Sequence, residues 1–521
     1  MTYSGDLMGN LGKRAVILGG SMAGMCAAGA VAPHFDEVVV LERDEIPADA
    51  EHRRGVPQSK HPHFLLNSGR RAIEEIFPGY EDALIDAGAL HLMPSLAAAH
   101  CEGSGWIPRQ EGSMTMVYAS RLLIERTLRA RLAEVPGIRV EEGVSVMGLQ
   151  IDGNARSGGR VSGVWVAGGE AGPERRLLDA DLVVDALGRG SAVSDWLHKA
   201  GWPEVPVQSL DAGVTYTSQW FQKPADLPES WWWAHMSVMP TVEPGDHPPE
   251  HDFLCQIFPI EGDRVLVTLG SWGHPMPRKE DEFLDSVHKV RAPGFGRAVD
   301  LCEPISKVFV TKSTGNKRRR YDQVSNPPAG LVHVGDAICG FNPFYGQGMS
   351  AAAKSALLLK TKLADATAVD TPFVTDYLAA QRQLLDDIWT LALARDQGYA
   401  NAEGTEVAPR WRQKLAYRAS WPAFNHISAT TREDQVVEEH FSRVFNLDES
   451  VTTFVKNPRV VAGLAWFAVK RAFGRNRLPL GFDNQADPPS DIWRDGKPHP
   501  GGRVQPLPKG AKPAGAMAKG A

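Results

Sequence analysis

Two glycine-rich turns, at residues 19–24 and 335–350, carry the chemistry that can be read in this chain. The second runs Gly335-Asp336-Ala337-Ile338-Cys339-Gly340-Phe341-Asn342-Pro343-Phe344-Tyr345-Gly346-Gln347-Gly348-Met349-Ser350, after a strand-like run at 331–334 and before a helix-like run at 350–366. An acid at a strand end can accept hydrogen bonds from ribityl or ribose hydroxyls. Glycines behind a proline let a helix N-terminus approach a ring, where free N–H groups and the positive dipole end meet negative charge. A reduced flavin carries such charge at its N1–C2=O edge. The first turn, Gly19-Gly20-Ser21-Met22-Ala23-Gly24, follows a strand and opens a helix, with Ser21 where a strict G-x-G-x-x-G pattern has its middle glycine. Glu42 closes the next strand, near the offset at which an acid meets adenosine ribose hydroxyls. An acid there disfavours a ribose 2′-phosphate, so FAD or NAD is expected rather than NADP. One such turn serves any dinucleotide; a second, distant grip on a ring points to FAD.

The elements that must position these turns follow from periodicity. Residues 14–18, 22–32 and 37–41 read as a β-α-β unit, and 68–77 and 121–134 as helices, the latter with Ser120 as N-cap. Strands are expected at 144–152, 160–166 and 177–184, with a turn at 157–159. From 211 to 311 the character changes: 214–221, 253–259 and 264–269 alternate apolar and polar as half-buried antiparallel strands do, with an exposed loop at 240–252 and a helix at 280–290. The nucleotide-type pattern resumes at Gly330, and after Phe373 helices dominate, at 374–395, 410–419, 433–445 and 460–473. The expected organisation is a two-part nucleotide-binding domain (1–210 and 312–372), a β-sheet substrate domain (211–311), a helical region (373–484) and a disordered tail (485–521). Residues 1–12 read as a flexible lead.

At 521 residues the chain exceeds one ordinary core. A net charge of −6 gives no reason to expect nucleic acid or an anionic membrane as partner. Cys26, Cys101, Cys255, Cys302 and Cys339 form no CxxC pair and no His/Cys cluster at metal spacing, which argues for a reducing, cytoplasmic setting and no metal. Lys13-Arg14 and the small apolar run ending Ala30-Val31-Ala32 mimic a signal peptide, but Gly19-Gly20-Ser21 interrupts it and a strand with a well-placed acid follows. No stretch has the length and apolarity of a membrane span. Residues 460–473, apolar with Lys470-Arg471, suit a core or homodimer helix better than a membrane-surface one, and 317–320 is a short basic turn.

A third motif, Asp185-Ala186-Leu187-Gly188-Arg189-Gly190-Ser191, follows a strand at 181–184. In this order the three motifs resemble those of the class A FAD-dependent monooxygenases, the p-hydroxybenzoate hydroxylase superfamily, over roughly residues 13–399. The family has Asp-Gly where this chain has Asp185-Ala186, in the segment that touches both FAD and a transient nicotinamide. Electrons are therefore expected from NAD(P)H directly or from a separate flavin reductase. The resemblance implies an α/β fold: a Rossmann-like, glutathione-reductase-type FAD-binding domain interrupted by an antiparallel sheet. It implies that Asp336 binds the ribityl chain, that Pro343 lies against the isoalloxazine, and that Gly346, Gln347, Gly348, Met349 and Ser350 face its pyrimidine edge. It also implies that Arg54 meets the pyrophosphate, that Arg121 contacts FAD, and that Gly19, Ser21, Met22, Ala23, Gly24, Glu42, Arg43, Val146, Asp185, Gly188 and Gly335 complete the non-covalent cofactor site.

Local segments resemble the FAD-dependent epoxidases of polyether-antibiotic pathways and related secondary-metabolite oxygenases: Arg54-Gly55-Val56-Pro57-Gln58, His61-Pro62-His63-Phe64-Leu65-Leu66, Phe77-Pro78-Gly79 and Phe341 to Met349. The implied reaction takes O2 through a flavin C4a-hydroperoxide and passes one oxygen to an alkene or electron-rich ring of an apolar polyene- or polyketide-like intermediate. His61, His63, Phe344 and Tyr345 could line the pocket; the histidines could equally satisfy hydrogen bonds in a packed loop. Trp220, Phe221, Trp231, Trp232 and Trp233 could line a large apolar pocket or form core. The alternatives are a geranylgeranyl-reductase-like reductase or dehydrogenase and, last, a flavin halogenase, whose Trp-x-Trp-x-Ile-Pro motif is not completed after Trp231-Trp232-Trp233.

Overall fold

The computed structural model describes residues 10–47, 52–112, 114–156, 158–240, 253–311, 314–399, 401–476, 488–489, 493–494, 503 and 505–511. The expected lead at 1–9 and most of the expected loop, 241–252, lie outside the described residues. Strands β1 (Gly12–Leu18) and β2 (Phe35–Leu41) flank α1 (Met22–Val31). Both strands are near-continuous apolar runs because a parallel sheet is covered on both faces; Val16, Ile17, Val39 and Val40 are fully buried. Helix α1 is small and apolar all round, and nine of its ten residues are buried. In chain order follow β3 (Ala98–Glu102), α2 (Arg121–Ala133), β4 (Ile138–Glu141) and β5 (Leu182–Asp185). Ser120 caps α2, its hydroxyl accepting the Leu123 N–H at 3.1 Å. Then come β6 (Val214–Gln222), β7 (His235–Val238), β8 (Leu254–Ile260), β9 (Arg264–Trp272), β10 (Asn316–Arg319), β11 (Leu331–His333), α3 (Gly348–Ala364) and α4 (Thr371–Asp396).

The first sheet has five parallel strands in the order β11-β5-β1-β2-β4. Strand β11, from the far end of the sequence, therefore sits two places from β1. The second sheet has eight strands, with β6-β9-β8-β7-β3 at its centre. Its pairs are antiparallel except β7 with β3. The three helices Arg410–Thr431, Gln435–Phe445 and Pro458–Ala472 follow α4. No helix among the described residues is long and apolar enough to cross a membrane.

Three expectations are corrected. The single strand at 177–184 is two: Arg176–Asp179 pairs with Gly158–Gly168 in a separate antiparallel sheet, and β5 joins the parallel one. The break falls at Asp181, whose carboxylate turns back to accept the N–H groups of Lys13 at 2.6 Å and Arg14 at 3.0 Å. The substrate sheet is not confined to 211–311, because β3 and Gly105–Trp106 extend its edge. The described parts of the tail are also bound to the body. Leu507 N–H donates to His91 O at 2.7 Å, Arg494 N–H to Arg109 O at 3.0 Å, and the Trp232 indole to Pro488 O at 3.1 Å. A proline-rich composition lowers the number of donors, yet its carbonyls still serve as acceptors.

Gly335 joins the two ends of the sequence. It lies at φ +62°, and a Cβ there would sit 2.6 Å from the Ala23 Cβ on α1. Gly335→Ala should therefore lower stability to urea by about 2 kcal/mol; a loss under about 0.5 kcal/mol would show that this approach is not tight.

Candidate functional site

The turn after β1 is shaped by backbone. Gly19 sits at φ +103° and donates its N–H to Leu41 O at 2.8 Å. A Cβ on Gly24 would lie 1.8 Å from Gly19 O, so only glycine lets α1 start this close to β1. Glu42 is buried and accepts from Gly20 N–H at 3.1 Å and Asp44 N–H at 3.0 Å. Arg53 adds an ion pair to Glu42 at 2.9 Å. A carboxylate has about four acceptor sites, so one stays open for a hydroxyl. Ser21 donates to Glu125 at 2.8 Å, and Arg121 meets the same carboxylate at 2.5 Å. Burial alone would raise the Glu125 carboxyl, but Arg121 and Arg53 outweigh it and hold it at about 2. Met22 and Ala23 open α1, and Val146 packs half-buried beside the core. Arg43 and Arg54 are exposed; it is Arg53, not singled out by sequence, that turns inward.

The middle motif departs from expectation. Asp185 is fully buried and its carboxylate is engaged by Leu187 N–H at 3.1 Å, the Ser191 hydroxyl at 2.7 Å and His333 Nδ1 at 3.1 Å. It holds the ends of β5 and β11 together. Gly188, at φ +74°, has open space where a side chain would be. Arg189 is the residue of this segment that reaches the second turn, with Asp336 at 3.3 Å, Gly315 O at 2.5 Å and Phe341 O.

The second turn is held from below. Asn342 accepts Phe344 N–H at 3.1 Å and receives its own partner from Asn316, whose Oδ1 accepts the Asn342 N–H at 2.7 Å. Beneath them lies Asp396 at the end of α4, fully buried. It accepts Asn316 Nδ2 at 2.8 Å, Asn342 Nδ2 at 3.0 Å, Tyr345 OH at 2.8 Å and the Trp272 indole at 3.3 Å. Burial raises its pKa against the pull of those four bonds. Pro343 is exposed, and Gly346 lies at φ +64° with Phe64 where its Cβ would go, at 2.9 Å. Gln347 caps α3; its Oε1 is buried without a hydrogen-bond partner. Met349 is buried in the first turn of α3, beside Gly348.

The substrate sheet presents one face to this turn. Phe64 contacts Phe258 at 4.8 Å, and Phe344 meets Trp272 at 4.7 Å. His61 Nδ1 bonds Ser218 Oγ at 2.8 Å, and the ring lies edge-on to Tyr216. Burial, then the charges of His63, Lys60 and His52, push His61 down to about 3. His63 bonds His61 O at 2.9 Å, and burial with Arg121 puts it at about 4. Of the five aromatic pocket candidates only Trp220 lies on this face. Its indole donates to Lys60 O at 3.1 Å, and it borders an open cleft of about 480 Å³ with His52, Leu122, Arg264 and Phe309. Phe221 packs on the opposite face with Phe283 and Phe295, because successive strand residues alternate sides, and Trp231, Trp232 and Trp233, in the loop before β7, join the same cluster. These four are core and are corrected as such. A smaller cavity of about 230 Å³, lined by Lys354, Leu447 and Asp448, lies away from both turns.

The residues suit a flavin nucleotide on three observations: backbone cradles that any Cβ would fill at Gly24, open space at Gly188, and a buried, unpartnered Gln347 Oε1 at the start of a long helix. Among the described residues no group of three or more His, Cys, Asp or Glu could hold a metal.

No protein-family model matches the chain. Protein Rv3254 of Mycobacterium tuberculosis (strain ATCC 25618 / H37Rv) is 29% identical over 454 residues, covering 85% of this chain and 91% of its own. Three solved structures superpose over most of it. The flavin-dependent brominase Bmp2 is 14% identical with a TM-score of 0.58, covering 89% of this chain and 100% of its own. A flavoprotein/dehydrogenase from Cytophaga hutchinsonii is 12% identical at 0.61, with the same coverage of 89% and 100%. PqsL from Pseudomonas aeruginosa, described as a probable FAD-dependent monooxygenase, is 16% identical at 0.56, covering 79% and 100%. The fold is that of the FAD-dependent oxidoreductases. At such identities the likeness concerns fold alone.

Two outcomes follow from the site. His61 stays neutral when folded but takes a proton near pH 6.5 when unfolded, so its contribution is complete above about pH 6.5 and is lost as pH falls toward 3. Between pH 7 and pH 5 that is about 2 kcal/mol, and His61→Gln should flatten the fall by that amount in urea titrations at the two pH values. Asp396→Ala strands four donors and should lower stability by about 3 kcal/mol or more; a neutral effect would show that they find other partners.

Proposed function

We propose that this chain is an FAD-dependent monooxygenase that inserts one atom of O2 into an apolar natural-product intermediate, by epoxidation or hydroxylation. The observation that supports this most is the apposition of the Phe341–Gly348 turn to the aromatic face of the substrate sheet through Phe64 and Phe344. When bound, FAD would supply the electron transfer and oxygen activation. Glu42, Ser21 and Arg121 would hold the nucleotide end, with Gly19 and Gly24 allowing close approach. Arg43 and Arg54 would meet it from the solvent side. Asp336 would take the ribityl hydroxyls, and the N-terminus of α3, with Gln347, Gly348 and Met349, would stabilise negative charge at the ring edge. The aromatic face would orient the substrate and exclude water. Electrons would come from NAD(P)H or a partner reductase. The five cysteines, all buried and none in a disulfide, suit a reducing cytoplasm.

The dehydrogenase and the brominase among the structural neighbours make two rival outcomes concrete. With candidate polyene and aromatic substrates under ¹⁸O2, a product carrying one ¹⁸O atom is expected. Turnover without oxygen would favour a reductase or dehydrogenase, and a brominated product formed only with bromide would favour a halogenase. Asp336→Ala should weaken FAD retention about 10- to 100-fold, read by flavin content after dialysis; unchanged occupancy would remove Asp336 from the site.

A further inference from the structure

The face of the substrate sheet that meets the flavin turn carries a polar row where an apolar one would be expected. Strand register puts Ser218 beside Thr268, Thr268 beside Gln256, Gln256 beside Ser237, and Ser237 beside His100. Five neighbouring strands, β6, β9, β8, β7 and β3, thus each contribute one polar residue at one level. All but His100 are buried: Ser218 is 0%, Thr268 5%, Gln256 8% and Ser237 2% exposed. Apolar side chains border the row on both sides. One flank is Trp220, Leu266 and Phe258; the other is Tyr216 and Leu254, with Gly270 between them leaving a hollow next to Thr268.

Burying polar groups costs free energy unless each is paired. The two ends of the row are paired within the protein. His61 bonds Ser218, and Ser218 bonds Thr268 at 2.6 Å. Ser237 bonds His100, whose Nε2 meets Glu102 at 2.8 Å. The centre is not: among the described residues no hydrogen bond is made by the Gln256 amide, although Gln256 is more than nine-tenths buried. Its neighbours along β8, Leu254 and Phe258, point to the flavin-turn side, whereas Cys255 and Ile257 pack in the back core. The amide therefore lies on the side of the sheet that meets the flavin turn.

We infer that this row is the specificity-determining floor of the substrate site, and that Gln256 binds a neutral oxygen function, a carbonyl or hydroxyl, on an otherwise apolar molecule. This rests on the reading above only in taking this face as the substrate side. The row itself contains no Lys or Arg, and its His100 is already paired with Glu102, so no residue of the row is placed to bind an anionic group. His61 at the other end is held neutral by burial. An amide offers both a donor and an acceptor, which suits a keto or hydroxyl group equally.

The test is calorimetric titration of the flavin-loaded protein with four probes of one size: naphthalene, 2-acetylnaphthalene, 2-naphthol and 2-naphthoate. The wild type should bind the ketone and the naphthol at least about 10-fold more tightly than the other two. Gln256→Leu, which keeps the volume, should lose about 10- to 100-fold for the ketone and the naphthol and stay within about threefold for naphthalene. Melting temperature and flavin content report its folding. If Gln256→Leu does not fold, Gln256→Asn substitutes, with an intermediate loss expected. The inference is overturned if the variant keeps the wild-type preference, if the wild type favours naphthoate, or if no probe binds. Discrimination without oxygen consumption would leave it standing and count against the monooxygenase reading instead.

Discussion

The structure depends on one buried carboxylate. Asp396 accepts hydrogen bonds from β9, from the residue that starts β10, and from two residues of the second glycine turn, while it ends the long helix α4. Desolvating a carboxylate is costly, and the cost is offset only when every donor is in place. The constraint is therefore cooperative: displacing Asn342 or Tyr345 would leave the charge short of partners, so the turn keeps its height over the sheet. The same bond set fixes Trp272, which stacks on Tyr399 and meets Phe344 edge-on. One residue thus sets the spacing between the second glycine turn and the eight-stranded sheet.

The nucleotide end uses charge differently. There Glu42, Asp44 and Glu125 share Arg53, and Arg121 pairs with Glu125. Each acid has a cation, which offsets the cost of burial, and the Glu125 carboxyl is held at about 2. A deep site can thus keep negative acceptors for ribose hydroxyls beside positive groups for phosphate. On the face of the eight-stranded sheet that meets the second turn, His61 and His235 are both held neutral by burial, at about 3.

How much of this was legible depended on the range of each signal. The β-α-β unit was readable because continuous apolar strands and a small-residue helix are local patterns, and Ser120 capped its helix as its position implied. The second turn was readable as a glycine-rich strand-to-helix passage, but its support was not, since Asp396 is one of four acids in a helical run, with nothing local to set it apart, and lies more than fifty residues after Asn342. Asp185 looked like a ligand-facing acid from sequence. Its neighbour β11 brings His333 against it, a contact that no spacing encodes. The tryptophans failed for a different reason: the period of two along a strand separates Trp220 from Phe221, but which face meets the flavin turn depends on the partner sheet. Strand β3 was missed because Ala98-Ala99-His100-Cys101-Glu102 has weak strand propensity and its four-residue pairing is with a strand more than a hundred residues away, its local partner Gly105–Trp106 being only two residues long.

The polar row bears on what distinguishes chemistry on this fold. A brominase, a flavoprotein/dehydrogenase and a described monooxygenase all superpose on this chain at 12–16% identity, so the shared framework cannot select among reactions. Selection must lie in what the framework holds opposite the ring. Here that surface is aromatic at its rims and amide- and hydroxyl-bearing at its centre, and burial keeps His61 and His235 neutral near pH 7. Such a floor can orient a neutral molecule and exclude water, but it offers no strong acid at the reacting position. At its far edge this face is closed by the hydrogen-bonded pair of His100 and Glu102, which joins the row through Ser237.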